Sequence, residues 1–165
     1  VCVNPLVVEQ YAPEIWGVQC KQKFITEKRS AMVRGSLPLY SSNVPCFSRT
    51  PNVFVYEGYT VTYVCLQLAF WMGFKTVLLV GVDHAYQFQG QPNEEHKMSG
   101  DDPNHFSPDY FAGARWNNPD LPQSERAYKM ARTVFESAGR GIINCSTRTA
   151  LDVFPRADWK AYDGS

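Results

Sequence analysis

The chain has 165 residues, a mass of 18.7 kDa and a formal net charge of zero, because sixteen Lys and Arg balance sixteen Asp and Glu. That length is typical of one domain with its own hydrophobic core, so residues 1–165 are interpreted as a single domain. The neutral balance argues against a nucleic-acid-coating protein, and no uncharged apolar run reaches the roughly 18 residues that a membrane-spanning helix needs.

The first predicted elements are short. Residues Val1–Asn4 and Lys23–Thr26 have the composition of strands, and a helix is predicted to begin near Pro5 and to run through Tyr11.

The clearest unit is a strand–helix–strand pattern in the middle of the chain. A short apolar run, Val53–Tyr56, precedes a helical pattern over Tyr59–Met72, with Gly73 placed as a helix-ending glycine. An unbroken apolar run, Thr76–Val82, follows, as in a parallel strand covered on both faces. The pattern predicts a right-handed βαβ unit in an α/β domain. The apolar face of this helix is predicted to consist of Val61, Val64, Cys65, Leu68 and Met72.

A long segment without periodicity, residues 84–121, follows the central strand. It contains many aromatic and polar residues, and a loop of that length in a compact domain is usually functional, so it is predicted to be an active-site loop or lid.

The next helix begins at a capping pattern made by Asp120 and Gln123 and stops at Gly139. A short strand, Ile142–Cys145, and a final helical turn within Arg156–Tyr162 complete the chain. The buried stripe of the helix is predicted to consist of Ala127, Met130, Ala131, Val134, Phe135 and Ala138.

The candidate catalytic residues lie after the central strand, where open α/β sheets bind ligands. His105 lies close to two aspartates, an environment that suits a general base. Tyr86 and Tyr110 have hydroxyls that can donate hydrogen bonds to a leaving phosphate. A hydrogen-bonded loop histidine and packing aromatics are the structural alternatives for these three residues.

Phosphate or metal binding is less clearly marked. Neither a GxGxxG nor a Walker-type glycine loop occurs, but Thr60 and Thr62 open a helix whose N–H groups suit a phosphate, unless Thr60 is only the helix cap. The three histidines have spacings that fit no structural metal site, whereas aspartates of the loop suit Mg²⁺ bound with a nucleotide. The five cysteines are odd in number and lack a CxxC pair, so we expect mostly core thiols and a cytoplasmic protein.

Five short motifs follow one another along the chain: Asn4–Tyr11, Thr60–Thr62, Gly73–Lys75, Gly81–Asp83 and Asn104–Phe106. In order and spacing they resemble the MptE-like family, which includes 6-hydroxymethylpterin diphosphokinases and Maf flagellin-glycosylation proteins. They also resemble the related bacterial family 42 sialyltransferases. The resemblance implies a Rossmann-like three-layer domain with a mostly parallel sheet that binds a nucleotide.

The resemblance also implies residue roles. His105 matches the histidine that deprotonates the acceptor hydroxyl in the sialyltransferases, and Asn4 matches an asparagine that contacts the nucleotide. Tyr86 lies one residue from the position of a tyrosine that stabilises the departing phosphate. Asp83 completes the implied nucleotide-binding residues together with Thr60 and Thr62.

Two departures from the family pattern matter. Val61 replaces a serine that contacts the nucleotide, and the family's first strand and glycine-rich turn normally precede the Asn-Pro segment. We therefore expect this chain to lack an N-terminal βα unit.

The implied function is that of a nucleotide-dependent transferase. The favoured reaction is that of a sialyltransferase-like glycosyltransferase in surface glycan biosynthesis, with a CMP-sugar as donor and a glycan or small molecule as acceptor. The alternatives are a pterin diphosphokinase that uses ATP with Mg²⁺, and a non-catalytic binding fragment. No permanently bound cofactor and no nucleic-acid partner are expected, and an exposed sheet edge favours a homo-oligomer.

Overall fold

A computed structural model describes residues 1–86, 89–97 and 115–162 of the chain. The helices are α1 (Pro5–Gly17), α2 (Val61–Trp71) and α3 (Leu121–Ser137), and 3-10 turns cover Glu27–Met32 and Trp159–Tyr162. The strands are β1 (Phe24–Thr26), β2 (Leu37–Leu39), β3 (Ser41–Ser42), β4 (Val55–Tyr56), β5 (Thr76–Leu79), β6 (Glu95–Lys97), β7 (Arg115–Asn117) and β8 (Gly141–Asn144).

The described strands pair mainly in parallel. β1 pairs with β2, β3 with β4 and β5 with β8 in parallel, whereas β6 and β7 pair antiparallel. An isolated parallel bridge joins Cys2 to Ile25, so the strand predicted at residues 1–4 is reduced to one bridging residue. Helices combined with mostly parallel strand pairs confirm the α/β prediction.

The strand–helix–strand pattern around α2 is present, but its two strands pair with other partners. β4 pairs with β3, and β5 pairs with β8. Helix α3 lies between β5 and β8 in the chain. β5 ends at Leu79, before the predicted end at Val82, and Gly81 then has a left-handed φ of 72° that departs from extended backbone. Local patterns indicate which segments are extended, whereas the choice of neighbouring strand depends on how distant helices pack.

Each helix begins with a side chain that caps it. Asn4 Oδ1 and Thr60 Oγ1 accept hydrogen bonds from the backbone N–H two residues on, at 2.9 and 3.3 Å. Asp120 Oδ1 accepts one from the N–H three residues on, at 3.2 Å. These bonds satisfy donors that have no partner in the first turn, which explains why the helices begin where they do. No helix in the described part of the chain is long and apolar enough to cross a membrane.

Helices α2 and α3 pack together over the main core. This core consists of Tyr63, Leu66, Leu79, Ala127, Tyr128, Ala131, Phe135, Ile142, Leu151, Val153 and Phe154. The stripe predicted for α3 is confirmed at Ala127, Ala131 and Phe135 and is wrong at Ala138, which is exposed at the end of the helix.

The face that α2 buries differs from the prediction. Val61 and Met72 are 41% and 51% exposed, and the helix instead buries Tyr63, Val64, Leu66, Gln67 and Leu68. Because this helix is apolar on nearly every side, hydrophobic spacing cannot choose its buried face. The expectation of core thiols is likewise wrong for Cys20 and Cys65, which are exposed, while Cys145 is buried.

Gln67 is the polar centre of this region. Its Oε1 accepts hydrogen bonds from the backbone N–H groups of Ser48 and Tyr56 at 3.0 and 3.2 Å. Its Nε2 donates to the carbonyls of Tyr56 and Tyr63 at 2.8 and 3.3 Å. The fully buried amide thereby holds β4 and the preceding loop against α2.

Candidate functional site

A cavity of about 380 Å³ lies beyond the carboxyl end of β5. Its walls come from three parts of the chain: the start of α2, the segment that follows β5, and the start of α3. Because β5 and β8 are parallel, this is the edge where α/β proteins place their ligands. It is therefore the candidate functional site in the part of the chain that the structure describes.

The wall from α2 is shaped by a left-handed turn. Gly58 and Tyr59 have φ angles of 60° and 61°, and Thr60 then caps the helix. Gly58 is needed for space as well, since a Cβ there would lie 2.5 Å from Cδ1 of Tyr63. The turn brings Tyr59, Thr60 and Thr62 into the cavity wall.

The segment after β5 is anchored through its backbone. Val82 N donates to Ser146 Oγ at 2.9 Å, and Thr149 Oγ1 donates to the Val82 carbonyl at 2.7 Å. Ala150 N donates to the Asp83 carbonyl at 2.8 Å. These bonds hold the backbone of Asp83 in place, while the residue itself is exposed in the cavity wall.

The third wall comes from the start of α3, with Pro119, Leu121, Ser124 and Tyr128. The Tyr128 hydroxyl lies 3.4 Å from Thr60 Oγ1 and so links the first half of α3 to the start of α2. Burial raises the pKa of Tyr128, which keeps its hydroxyl protonated.

His84 lines the cavity from the segment after β5. It has a φ of 52°, is only 8% exposed, and its Nε2 has no hydrogen-bond partner among the residues that the structure describes. That atom lies 3.4 Å from Glu125 Oε1, which is within ion-pair distance but without hydrogen-bond geometry. The imidazole packs edge-on against the Tyr128 ring, with 5.9 Å between centroids.

Comparison with known protein families identifies the family of this chain. The family described as "6-hydroxymethylpterin diphosphokinase MptE-like" matches residues 3–89, just over half of the 165 residues. The chain belongs to this family. No curated protein matches the chain, and neither does any solved structure. The matched segment contains two of the three cavity walls, the start of α2 and the segment after β5.

Four of the site residues predicted from the sequence of this MptE-like chain line the same cavity: Thr60, Thr62, Asp83 and Tyr86. They come from both ends of the α2–β5 segment. Their common position follows from the geometry of that segment, in which the start of α2 and the end of β5 open on the same cavity.

The other three predicted residues are not part of the described cavity wall. Asn4 is not among the described residues that line it, and its side chain caps α1. His105 and Tyr110 lie outside the described residues, so their roles stay predictions.

His84 and Tyr128 are two of the cavity residues that were not predicted from the sequence as site residues. His84 directly follows Asp83, but its burial and left-handed backbone have no local signal. Tyr128 lies four residues after Ser124 and seven before Phe135, a helical spacing that would have placed it on the buried stripe.

Asp83 is the one carboxylate among the described residues that line the cavity, and no Lys or Arg is among them. Within the described ranges, no group of three or more His, Cys, Asp or Glu residues is arranged to hold a metal ion. A single exposed carboxylate suits Mg²⁺ that is bound mainly by substrate phosphates and water, since Mg²⁺ often binds through one or two carboxylates.

Proposed function

We propose that this chain is a nucleotide-dependent transferase domain that binds nucleotide phosphates in the cavity beyond β5. One observation carries the proposal: the starts of two helices, α2 and α3, line one cavity at the carboxyl end of a parallel strand. The N-terminal end of a helix carries partial positive charge, which favours phosphate, and in α2 and α3 a phosphate would compete with the caps Thr60 and Asp120 for the first-turn N–H groups. The proposal includes a Rossmann-like three-layer arrangement, which membership of the MptE-like family supports.

The first candidate reaction is pyrophosphoryl transfer from ATP, as the description of the matched family suggests. In that reaction the hydroxymethyl oxygen of a pterin attacks the β-phosphorus of ATP, AMP leaves, and the hydroxyl proton is released. Asp83 favours this candidate, because an exposed carboxylate in a phosphate site repels the ligand unless a cation lies between them. Asp83 would hold Mg²⁺, which neutralises charge on the phosphates.

The second candidate is glycosyl transfer from a CMP-sugar, and Tyr86 favours it. This tyrosine is 38% exposed and lines the cavity, where its hydroxyl suits hydrogen bonding to a departing phosphate. The acceptor oxygen would attack the anomeric carbon, CMP would leave, and His105 would take the acceptor proton. A surface glycan or a small molecule would be the acceptor, and the cytoplasm the proposed location.

The two candidates differ in their need for metal, which a binding experiment measures. Isothermal titration calorimetry with ATP, CMP, a CMP-sugar and a UDP-sugar, each with and without Mg²⁺, is the test. Binding of ATP only with Mg²⁺ supports pyrophosphoryl transfer, and metal-independent binding of CMP supports glycosyl transfer. The absence of any nucleotide binding would overturn the proposed function and favour a non-catalytic binding module.

Asp83→Asn separates the candidates further. If Asp83 holds Mg²⁺, this variant should bind Mg²⁺–ATP at least about tenfold more weakly, since it loses a metal ligand. Asp152→Asn removes an exposed carboxylate that is not among the residues lining the cavity and is the matched control. Unchanged Mg²⁺–ATP affinity in Asp83→Asn would contradict the metal role. For glycosyl transfer, His105→Ala should abolish turnover while CMP binding is retained.

A further inference from the structure

His84 is buried in the wall of the cavity, and within the described part of the chain its Nε2 has no hydrogen-bond partner. On the basis of the nucleotide site proposed above, we infer that His84 is a ligand-contacting residue. Its Nε2 donates a hydrogen bond to a phosphate oxygen of the bound nucleotide. This residue would then recognise the phosphate directly, in addition to the helix starts.

The unpaired nitrogen is the first reason. Buried polar side-chain atoms nearly always have a hydrogen-bond partner, and a buried one without a partner costs stability. His84 is 92% buried, yet it still lines a cavity wide enough for a ligand group. A phosphate oxygen in the cavity would supply the missing acceptor.

The backbone of His84 is the second reason. A φ of 52° is left-handed, a region that histidine occupies more readily than most residues but still at a cost. The hydrogen bonds at Val82 and Asp83 to the segment after β8 hold the chain on one side of it. Conformations of this kind persist where surrounding structure imposes them, and they cluster at ligand sites.

The surroundings of His84 act on an anionic ligand group in two opposite ways. Its ring contacts Tyr128 and its Nε2 lies near Glu125, and both of these residues are in the first half of α3. The dipole of α3 attracts negative charge at the helix start, whereas the Glu125 carboxylate repels it, so the hydrogen bond from His84 must outweigh this repulsion.

Glu125 is the competing acceptor. Its Oε1 is 3.4 Å from Nε2, without hydrogen-bond geometry, and its side chain is 38% exposed. A purely structural His84–Glu125 pair predicts that removal of the imidazole nitrogens lowers stability and leaves binding unchanged. Contact with the ligand predicts the reverse, because the unpaired nitrogen then costs stability in the empty site and gives affinity in the occupied one.

The test compares two substitutions of His84 with one control. His84→Phe keeps a ring against Tyr128 but removes both nitrogens, and His84→Gln places an amide N–H near the position of Nε2. His96→Phe is the control, since His96 Nε2 is 3.1 Å from Asn118 Nδ2 and His96 is not among the described residues lining the cavity. The probes are ATP with Mg²⁺, CMP and inorganic pyrophosphate, measured by calorimetry and thermal unfolding.

We expect His84→Phe to weaken binding of the best of these probes roughly 10- to 100-fold, with an unchanged or higher melting temperature. His84→Gln should retain most of the affinity, and His96→Phe should retain all of it. Wild-type affinity in His84→Phe, with a lower melting temperature, would overturn the inference and leave the nucleotide site standing. If the wild-type protein binds none of the probes, the proposed function fails and the inference fails with it.

A measurement on the wild-type protein guards against a variant that does not fold. In ¹H–¹⁵N spectra of the histidine rings, the probe should shift the Nε2 signal of His84 and leave that of His96 in place. A His84 signal that stays unmoved at a saturating concentration of a probe shown by calorimetry to bind would overturn the inference.

Discussion

Gly58→Ala is the sharpest test of how the turn before α2 is built. Gly58 has a φ of 60°, and a Cβ added there would lie 2.5 Å from Tyr63 Cδ1 and 2.8 Å from Ala127 Cβ. Tyr63 cannot readily move away, because it is fully buried and its hydroxyl donates to the Cys46 carbonyl at 2.9 Å. The ring also packs edge-on against Phe47, with 5.8 Å between centroids.

Two costs therefore add. A left-handed φ costs a non-glycine residue about 1–2 kcal/mol, and an extra methyl group in a packed core costs about 1–3 kcal/mol. We expect Gly58→Ala to lower the free energy of unfolding by about 2–5 kcal/mol. Gly73→Ala is the control, since Gly73 has a φ of 89° but a Cβ there meets nothing within 4 Å. That variant should lose only the backbone part, about 1–2 kcal/mol.

Urea unfolding followed by circular dichroism measures both variants under the same conditions. The difference between them isolates the clash with Tyr63 and Ala127. If Gly58→Ala is no less stable than Gly73→Ala, the turn relaxes and the reasoning from the close contacts is refuted.

The remaining predictions concern buried polar groups. Gln67→Leu leaves the buried backbone N–H groups of Ser48 and Tyr56 without their acceptor. Urea unfolding should therefore show a free energy of unfolding lower by about 2–4 kcal/mol, and a decrease below about 1 kcal/mol would contradict this. Burial raises the pKa of Tyr128 above its ordinary value of 10.0, so the folded chain keeps a proton that the unfolded chain releases. The associated stability is present below pH about 10 and is lost as pH rises towards the folded-state pKa. The free energy of unfolding should therefore fall between about pH 9 and pH 11, and less steeply in Tyr128→Phe; equal slopes would contradict the burial argument.

Local chemistry made part of the fold predictable. The caps at Thr60 and Asp120 are predictable from the sequence, because a hydroxyl or carboxylate satisfies N–H groups only two or three residues away. The buried face of α2 is not predictable from the sequence, because Val61 and Met72 are as apolar as the residues that the helix buries. The pairing of strands is not predictable from local patterns either, since β5 pairs with β8, which lies more than sixty residues later in the chain.

The candidate site divides in the same way. Thr60, Asp83 and Tyr86 could be selected because they flank elements with a strong local pattern. His84 could not, because its burial depends on packing against α3, at Tyr128 and Glu125.

The α/β class and the helix starts follow from residues that lie close together along the chain, and membership of the MptE-like family follows from the order of residues within 3–89. That the start of α3 completes the cavity is visible only once the chain is folded. The contact between Thr60 and Tyr128 that joins α2 to α3 spans 68 residues of sequence. A contact of that range depends on how the core packs, and no local pattern records it.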